Sequence, residues 1–143
     1  MRDAKPAKNV LTQADYEALA SLRQALRRFT AFSEGAAKTA GLPPQQHQAL
    51  LAIKGAAAGQ VTTVGALAET LLIAPHTATE LVDRLADAGL IVRATDPDDR
   101  RRHTLQLTVR AETLLAELSQ VHLKEIRDLA PRLIAVLQSL AAR

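Results

Sequence analysis

Apolar residues recur along this chain at helical steps, then at strand steps, then at helical steps again. Tyr16, Leu19, Leu22, Leu26, Phe29 and Ser33 fall three and four apart and trace one face of a long helix. Thr12 ahead of Asp15 resembles a capping box with Asp in the usual Glu place, and Gly41 followed by Pro43 and Pro44 supplies the stop. Pro44 suits the first turn of a second helix, whose buried side the pattern assigns to Leu50, Leu51 and Ile53, with Gly55 and Gly59 framing the exit. Val61 and Thr62 read as a very short extended piece, and Thr62 or Thr63 caps a helix through Leu71. Leu72 to Ala74 form a turn, after which Pro75 opens a helix carrying Leu81, Val82 and Leu85 until Gly89 ends it. Two short helices joined by about three residues make a helix-turn-helix.

The period then drops to two. Leu90 and Val92 alternate with Ile91, and Leu105 and Leu107 alternate with Gln106, around the polar tip RATDPDDRRRHT at 93–104. This predicts a hairpin. Helical spacing returns with Leu114, Leu115, Leu118, Val121, Ile126 and Leu129; Pro131 is expected to break or restart it before Leu133, Ile134, Val136, Leu137 and Leu140. The expected fold is mainly α, in the order α-α-α-α-β-β-α-α, a single domain over 1–143. A winged helix-turn-helix core spans 44–108, and flanking helices at 12–40 and 109–143 carry apolar faces that the small core cannot cover. A second copy of the chain is the simplest cover, which makes these the dimerisation helices of a homodimer.

Composition narrows the function. The 48% hydrophobic and 23% charged shares are globular. Aromatics amount to 2%, namely Tyr16, Phe29 and Phe32, too few for a base-stacking surface on single strands or RNA. With no cysteine, a disulfide framework, a thiolate zinc site and a thiol redox sensor are excluded. The apolar stretches fall far short of the ~18 residues of a membrane span, and residues 1–11 read as a basic, loose lead-in without the apolar core of a secretory signal. A soluble cytoplasmic protein is expected, with no membrane partner. The net charge of +3 does not oppose DNA binding, because local potential attracts the duplex.

The second helix of a helix-turn-helix enters the major groove with its N-terminal residues at the base edges. Here those are Pro75, His76, Thr77, Thr79 and Glu80. Thr can hydrogen-bond several base edges or set its methyl against that of thymine, His can donate to N7 or phosphate, and Glu can accept from cytosine N4. The plainer alternative is a solvated first turn in which Glu80 favours the helix dipole. At the hairpin tip, Arg100, Arg101 and Arg102 follow Asp96, Asp98 and Asp99. Such a cluster can be merely solvated. Alternatively, an acid holds one arginine by a bidentate pair, so that less rotamer freedom is lost when its guanidinium enters a narrow minor groove.

The stretches TELVDRLADAGLIVR at 79–93 and DPDDRRRHTLQLT at 96–108 resemble the MarR family of winged-helix transcriptional regulators. The second is similar to that family's wing signature: Asp-Pro, a spacer, Asp-Arg-Arg, and a strand closing on Leu-Thr. The resemblance implies an obligate homodimer joined by its terminal helices, a pseudo-palindromic double-stranded DNA operator, and usually repression relieved by a small aromatic or anionic effector. It places Arg101 as the minor-groove arginine, Asp99 as the acid orienting it, and Thr77 and Thr79 on the base-facing side. Arg84, next to Asp83, is expected to be part phosphate contact and part scaffold for the wing. The effector pocket is expected where the first, second and fifth helices meet the winged domain, near His47 and Leu51. Three positions depart from the family pattern: Glu80 stands where relatives carry Arg or Lys, Leu72 where glycine or a small residue is common, and Ala74 where a Ser-type cap is usual.

Three other readings compete. An enzyme would need a catalytic constellation, but the acids of the tip lie beside neutralising arginines, and Gly55 and Gly59 lack the followers of a phosphate loop. A zinc-responsive regulator would need ligands at short spacing, whereas His47, His76, His103 and His122 lie on different elements. A dimerisation module that does not bind DNA would leave the arginine tip without a purpose. No cofactor and no catalytic or metal-binding residue is expected.

Overall fold

The computed structural model describes residues 10–57 and 62–142. The basic lead-in up to residue 9, Gly59 and Val61 lie outside the described residues. The elements are α1 (Gln13–Thr39), α2 (Pro44–Lys54), α3 (Val64–Leu71), α4 (Pro75–Asp87), β1 (Ile91–Thr95), β2 (His103–Leu107) and α5 (Val109–Ala141). The fold is mainly helical with one antiparallel pair of strands, a winged helix. It divides into two compact units. One comprises residues 32–123; the other comprises the described residues up to 31 and from 124 onward.

The core of the first unit gathers one side of each element. Leu50, Leu67, Val82 and Leu85 are fully buried, with Leu42, Leu81, Ile91, Leu105 and Leu115 packed around them. Caps set the helix starts. Thr63 Oγ1 accepts the Ala66 N–H at 3.1 Å to begin α3, and Thr108 Oγ1 accepts that of Ala111 at 3.2 Å to begin α5. Thr108 also donates its hydroxyl to Gly89 O (2.8 Å), and Arg110 Nη1 donates to Ala88 O (2.8 Å), so the start of α5 is fastened to the turn ahead of β1. In α4, Ala74 makes no side-chain cap, and Pro75 fills the first turn, where an N–H would be orphaned anyway.

In the second unit, Thr12 and Asp15 form the expected reciprocal cap: the Thr12 N–H donates to Asp15 Oδ2 (2.8 Å), and the Asp15 N–H to Thr12 Oγ1 (3.3 Å). Arg132 Nη2 donates to Gln24 Oε1 at 3.4 Å. Many large apolar side chains of this unit face outward, among them Leu19, Leu26, Ile126, Ile134 and Leu137.

Three expectations from the sequence need correction. First, α5 runs through Pro131 as one helix, so the order ends in a single α element. Proline removes only its own donor to the Arg127 carbonyl; both residues are exposed, so water can take that bond. Secondly, Ile91 rather than Val92 faces inward; Val92 is 52% exposed. Leu90 belongs to the turn, its N–H donating to Leu85 O (2.9 Å) after Gly89 at φ +72°, so the strand alternation counts from Ile91. Thirdly, Leu51 does not share the buried side of α2, which is formed by His47, Ala49, Leu50 and Ile53. At about 100° per residue the buried arc runs from Ala49 through Ile53 and Leu50 to His47, and Leu51 falls beyond its edge.

Candidate nucleic-acid interface

Burial of Ala78, Leu81, Val82 and Leu85 fixes the rotation of α4. His76, Thr79, Glu80, Asp83 and Arg84 are consequently exposed, and Thr77 is half-buried. The Thr79 hydroxyl donates to Pro75 O at 3.1 Å, so its methyl group and the acceptor side of its oxygen are left to meet a partner. Leu72, between the two helices, sits at φ 56° and ψ 43° in the left-handed region, 92% exposed.

The wing is an antiparallel ribbon with Ile91 opposite Leu107, Arg93 opposite Leu105 and Thr95 opposite His103. Its root is widened by a bridge from Thr63 to Thr104 and by the Leu105 N–H donating to Thr62 O at 2.9 Å. Of the short extended piece expected at Val61 and Thr62, Thr62 takes part in this pairing, and Val61 lies outside the described residues. The tip is closed by main-chain bonds from Asp96 N–H to Arg102 O (2.8 Å) and from Arg102 N–H to Asp99 O (3.0 Å).

The acids of the tip act on the backbone. Asp96 Oδ1 accepts the Asp98 N–H at 2.9 Å, and Asp99 Oδ1 accepts the Arg101 N–H at 3.0 Å. Spacing suggests a carboxylate–guanidinium pair; the observed bonds are Asx turns, whose reach of two residues suits such a short loop. Arg100, Arg101 and Arg102 are all exposed, so three guanidinium groups project from a loop in which Asp96 and Asp99 each hold a main-chain N–H. Asp83 on α4 is ion-paired with Arg93 on β1. Sequence reading places Asp83 with its neighbour Arg84 and misses Arg93, because the strand phase it assumes turns Arg93 away from α4.

His47 and Leu51 stand one turn apart on α2 and differ in exposure: His47 is buried and Leu51 is open to solvent. Leu51 borders a cleft of about 300 Å³ with Ala66 and Thr70. His47 is buried, its ring centroid 4.9 Å from that of His122. His122 Nδ1–H donates to Leu118 O (2.6 Å), and its Nε2 is hydrogen-bonded to the Ser33 hydroxyl (2.7 Å). His47 Nδ1 is buried without a hydrogen-bond partner. Burial, and secondarily the charge of nearby His122, hold the His47 pKa below 6.5. Ser33, on the apolar face of α1, is the signal in the sequence for this polar cluster. Among the described residues, no group of three or more His, Asp or Glu side chains could hold a metal ion. A second cleft, of about 400 Å³, is lined in part by Gln46, Leu90, Arg110, Thr113 and Glu117.

The sequence profile of the MarR family matches residues 40–102 of this chain. A Thauera aromatica protein described as a putative transcriptional regulatory protein for the hcr operon is 30% identical over 135 residues, 90% of this chain and 80% of that protein. The chain belongs to the MarR family. As a MarR-family member it is a DNA-binding transcriptional regulator, in a family of regulators rather than enzymes. Solved structures share the MarR-type fold. AbsC of Streptomyces coelicolor aligns with a TM-score of 0.70 at 19% identity, over 85% of this chain and 82% of its own. Wild-type Escherichia coli MarR in its apo form gives 0.67 at 19% identity, over 94% and 97%. A point variant of Staphylococcus aureus MepR, solved bound to an oligodeoxyribonucleotide, gives 0.66 at 18%, over 93% and 98%. No helix among the described residues is long and apolar enough to cross a membrane.

Proposed function

We propose that this MarR-family regulator is a homodimeric repressor of a pseudo-palindromic operator, acting in the cytoplasm and released by a small aromatic or anionic ligand. His76, Thr77 and Thr79 read base edges in the major groove, and Arg84 contacts phosphate. Arg101, flanked by Arg100 and Arg102, enters the minor groove from a tip that Asp99 holds in shape. The observation that carries this reading is the tip itself, where three exposed arginines sit on a loop braced by Asx turns, in a wing whose first strand is ion-paired to the exposed side of α4. The unpartnered apolar side chains of the second unit support pairing through helices 12–40 and 109–143. The 400 Å³ cleft beside Arg110 has the size of a small-ligand site, and its guanidinium suits an anion; near His47 and Leu51, the cleft of about 300 Å³ bordered by Leu51 is the alternative place for an effector.

The test is a gel shift on DNA upstream of the chain's own and neighbouring coding regions. Operator affinity should fall with salt at a slope of about −0.9 per neutralised phosphate, and Arg101→Ala should weaken binding while the fold stays intact. An unchanged dissociation constant for Arg101→Ala would refute the wing's role.

A further inference from the structure

We propose that the Asp83–Arg93 ion pair is a positioning clamp that fixes the wing relative to the recognition helix, so that both reach one duplex in register. The proposal rests on the reading that α4 and the wing contact the same operator.

Asp83 lies seven residues after His76, almost two full turns, and so sits on the same outward lane of α4 as the proposed base readers. Arg93 occupies the middle of β1. Because the strand alternates from Ile91, which is buried, Arg93 leaves the ribbon on the same face as Ile91 and is aimed back over α4. There it meets the Asp83 carboxylate. The opposite strand phase would send it away from the helix.

The position of this contact matters more than its strength. A two-stranded ribbon is marginal on its own. This one is anchored at its root by Ile91 and Leu105 in the core and by the Thr62 carbonyl. Past that root, Val92 and Ala94 are exposed, and the ion pair joins the ribbon to α4 at Arg93, ahead of the tip's first turn at Asp96. The side chains of Arg93 and Asp83 remain 39% and 53% exposed, so the pair contributes little to folding stability. What it restricts is the swing of the wing about its root, and that swing decides where Arg101 lies when α4 is seated.

Charge gives the test its sign. An acid on a DNA-facing lane repels phosphate, so if electrostatics alone operated, Asp83→Asn would tighten binding to any duplex. A clamp predicts the reverse for a specific site. With a duplex selected from a random-sequence pool by the purified protein as probe, Asp83→Asn should weaken binding about fivefold, while affinity for an unselected duplex stays level or rises. Combining Asp83→Asn with Arg101→Ala should cost less than the sum of the two, since an unclamped wing has already lost part of its contact. The charge-reversed pair, Asp83→Arg with Arg93→Asp, conserves net charge and should recover most of the affinity. Thermal melts of each variant report whether it is folded. Equal or tighter binding of the selected duplex by Asp83→Asn, or strict additivity with Arg101→Ala, overturns the clamp while leaving the wing's role standing. No effect of Arg101→Ala in the unaltered protein overturns both.

Discussion

Leu72 holds a backbone conformation that an L side chain adopts only at a cost. At φ 56° its Cβ crowds the following carbonyl, a penalty of roughly 1–2 kcal/mol, and at 92% exposure the side chain gains no packing in return. Leu72→Gly should therefore raise stability, by about 1 kcal/mol once the greater freedom of glycine in the unfolded chain is deducted. A lower melting temperature for this variant would show that the leucine makes a contact the single chain lacks. His47 poses the opposite problem, an interior polar atom without a partner. Its folded-state pKa lies below 6.5, so the unfolded chain binds the proton more readily, and stability is lost as pH falls from 6.5 towards the folded value. Denaturant melts at about pH 7.5 and about pH 5.5 should show this loss, and His47→Leu should diminish it while removing the orphaned nitrogen. An identical pH slope in the variant would assign the effect to other groups.

At the scale of elements, the wing depends on its tip more than on its strands. Asp99 holds the Arg101 N–H through a bond of 3.0 Å, and its own carbonyl takes the Arg102 N–H. Asp99→Ala removes the first and keeps the second. Affinity for operator DNA should fall several-fold through loss of order at the tip, less than with Arg101→Ala, which removes the guanidinium proposed to enter the minor groove. Asp99→Asn, which preserves an acceptor oxygen for the Asx turn, should retain most of the binding; if Asn is as damaging as Ala, the carboxylate charge rather than the turn is what counts. The long α5 shows a related effect. Its sequence predicts a division at the proline, yet an exposed position lets the helix continue at the expense of one hydrogen bond.

For the whole molecule, the decisive quantity is how much apolar surface a single chain leaves uncovered. Leu19 and Leu26 on α1, and Ile126, Ile134 and Leu137 on α5, are each more than two-fifths exposed. In a homodimer they would be covered, and the two recognition helices would lie about 34 Å apart, one turn of DNA. Scattering should report a dimer, and Leu26→Glu with Ile134→Glu should yield monomers that have lost cooperative operator binding. A monomeric unaltered protein would defeat the proposal.

Much of this was legible in the sequence because it depends on neighbours in the chain. Helical spacing, the cap before α3, Pro75 at a helix start, Gly41 and Gly89 at turns and the Asp-rich loop before three arginines are local chemistry, decided within a few residues. The strand phase at Ile91, the turn of Leu51 away from the core, the meeting of Ser33, His47 and His122, and the ion pair from Asp83 to Arg93 were decided by tertiary structure. Each joins residues distant in sequence or depends on where a turn ends, and a shift of one residue in a strand reverses every side chain after it. Composition and period determined which elements form and which chemistry they carry; packing alone determined which of those side chains face one another.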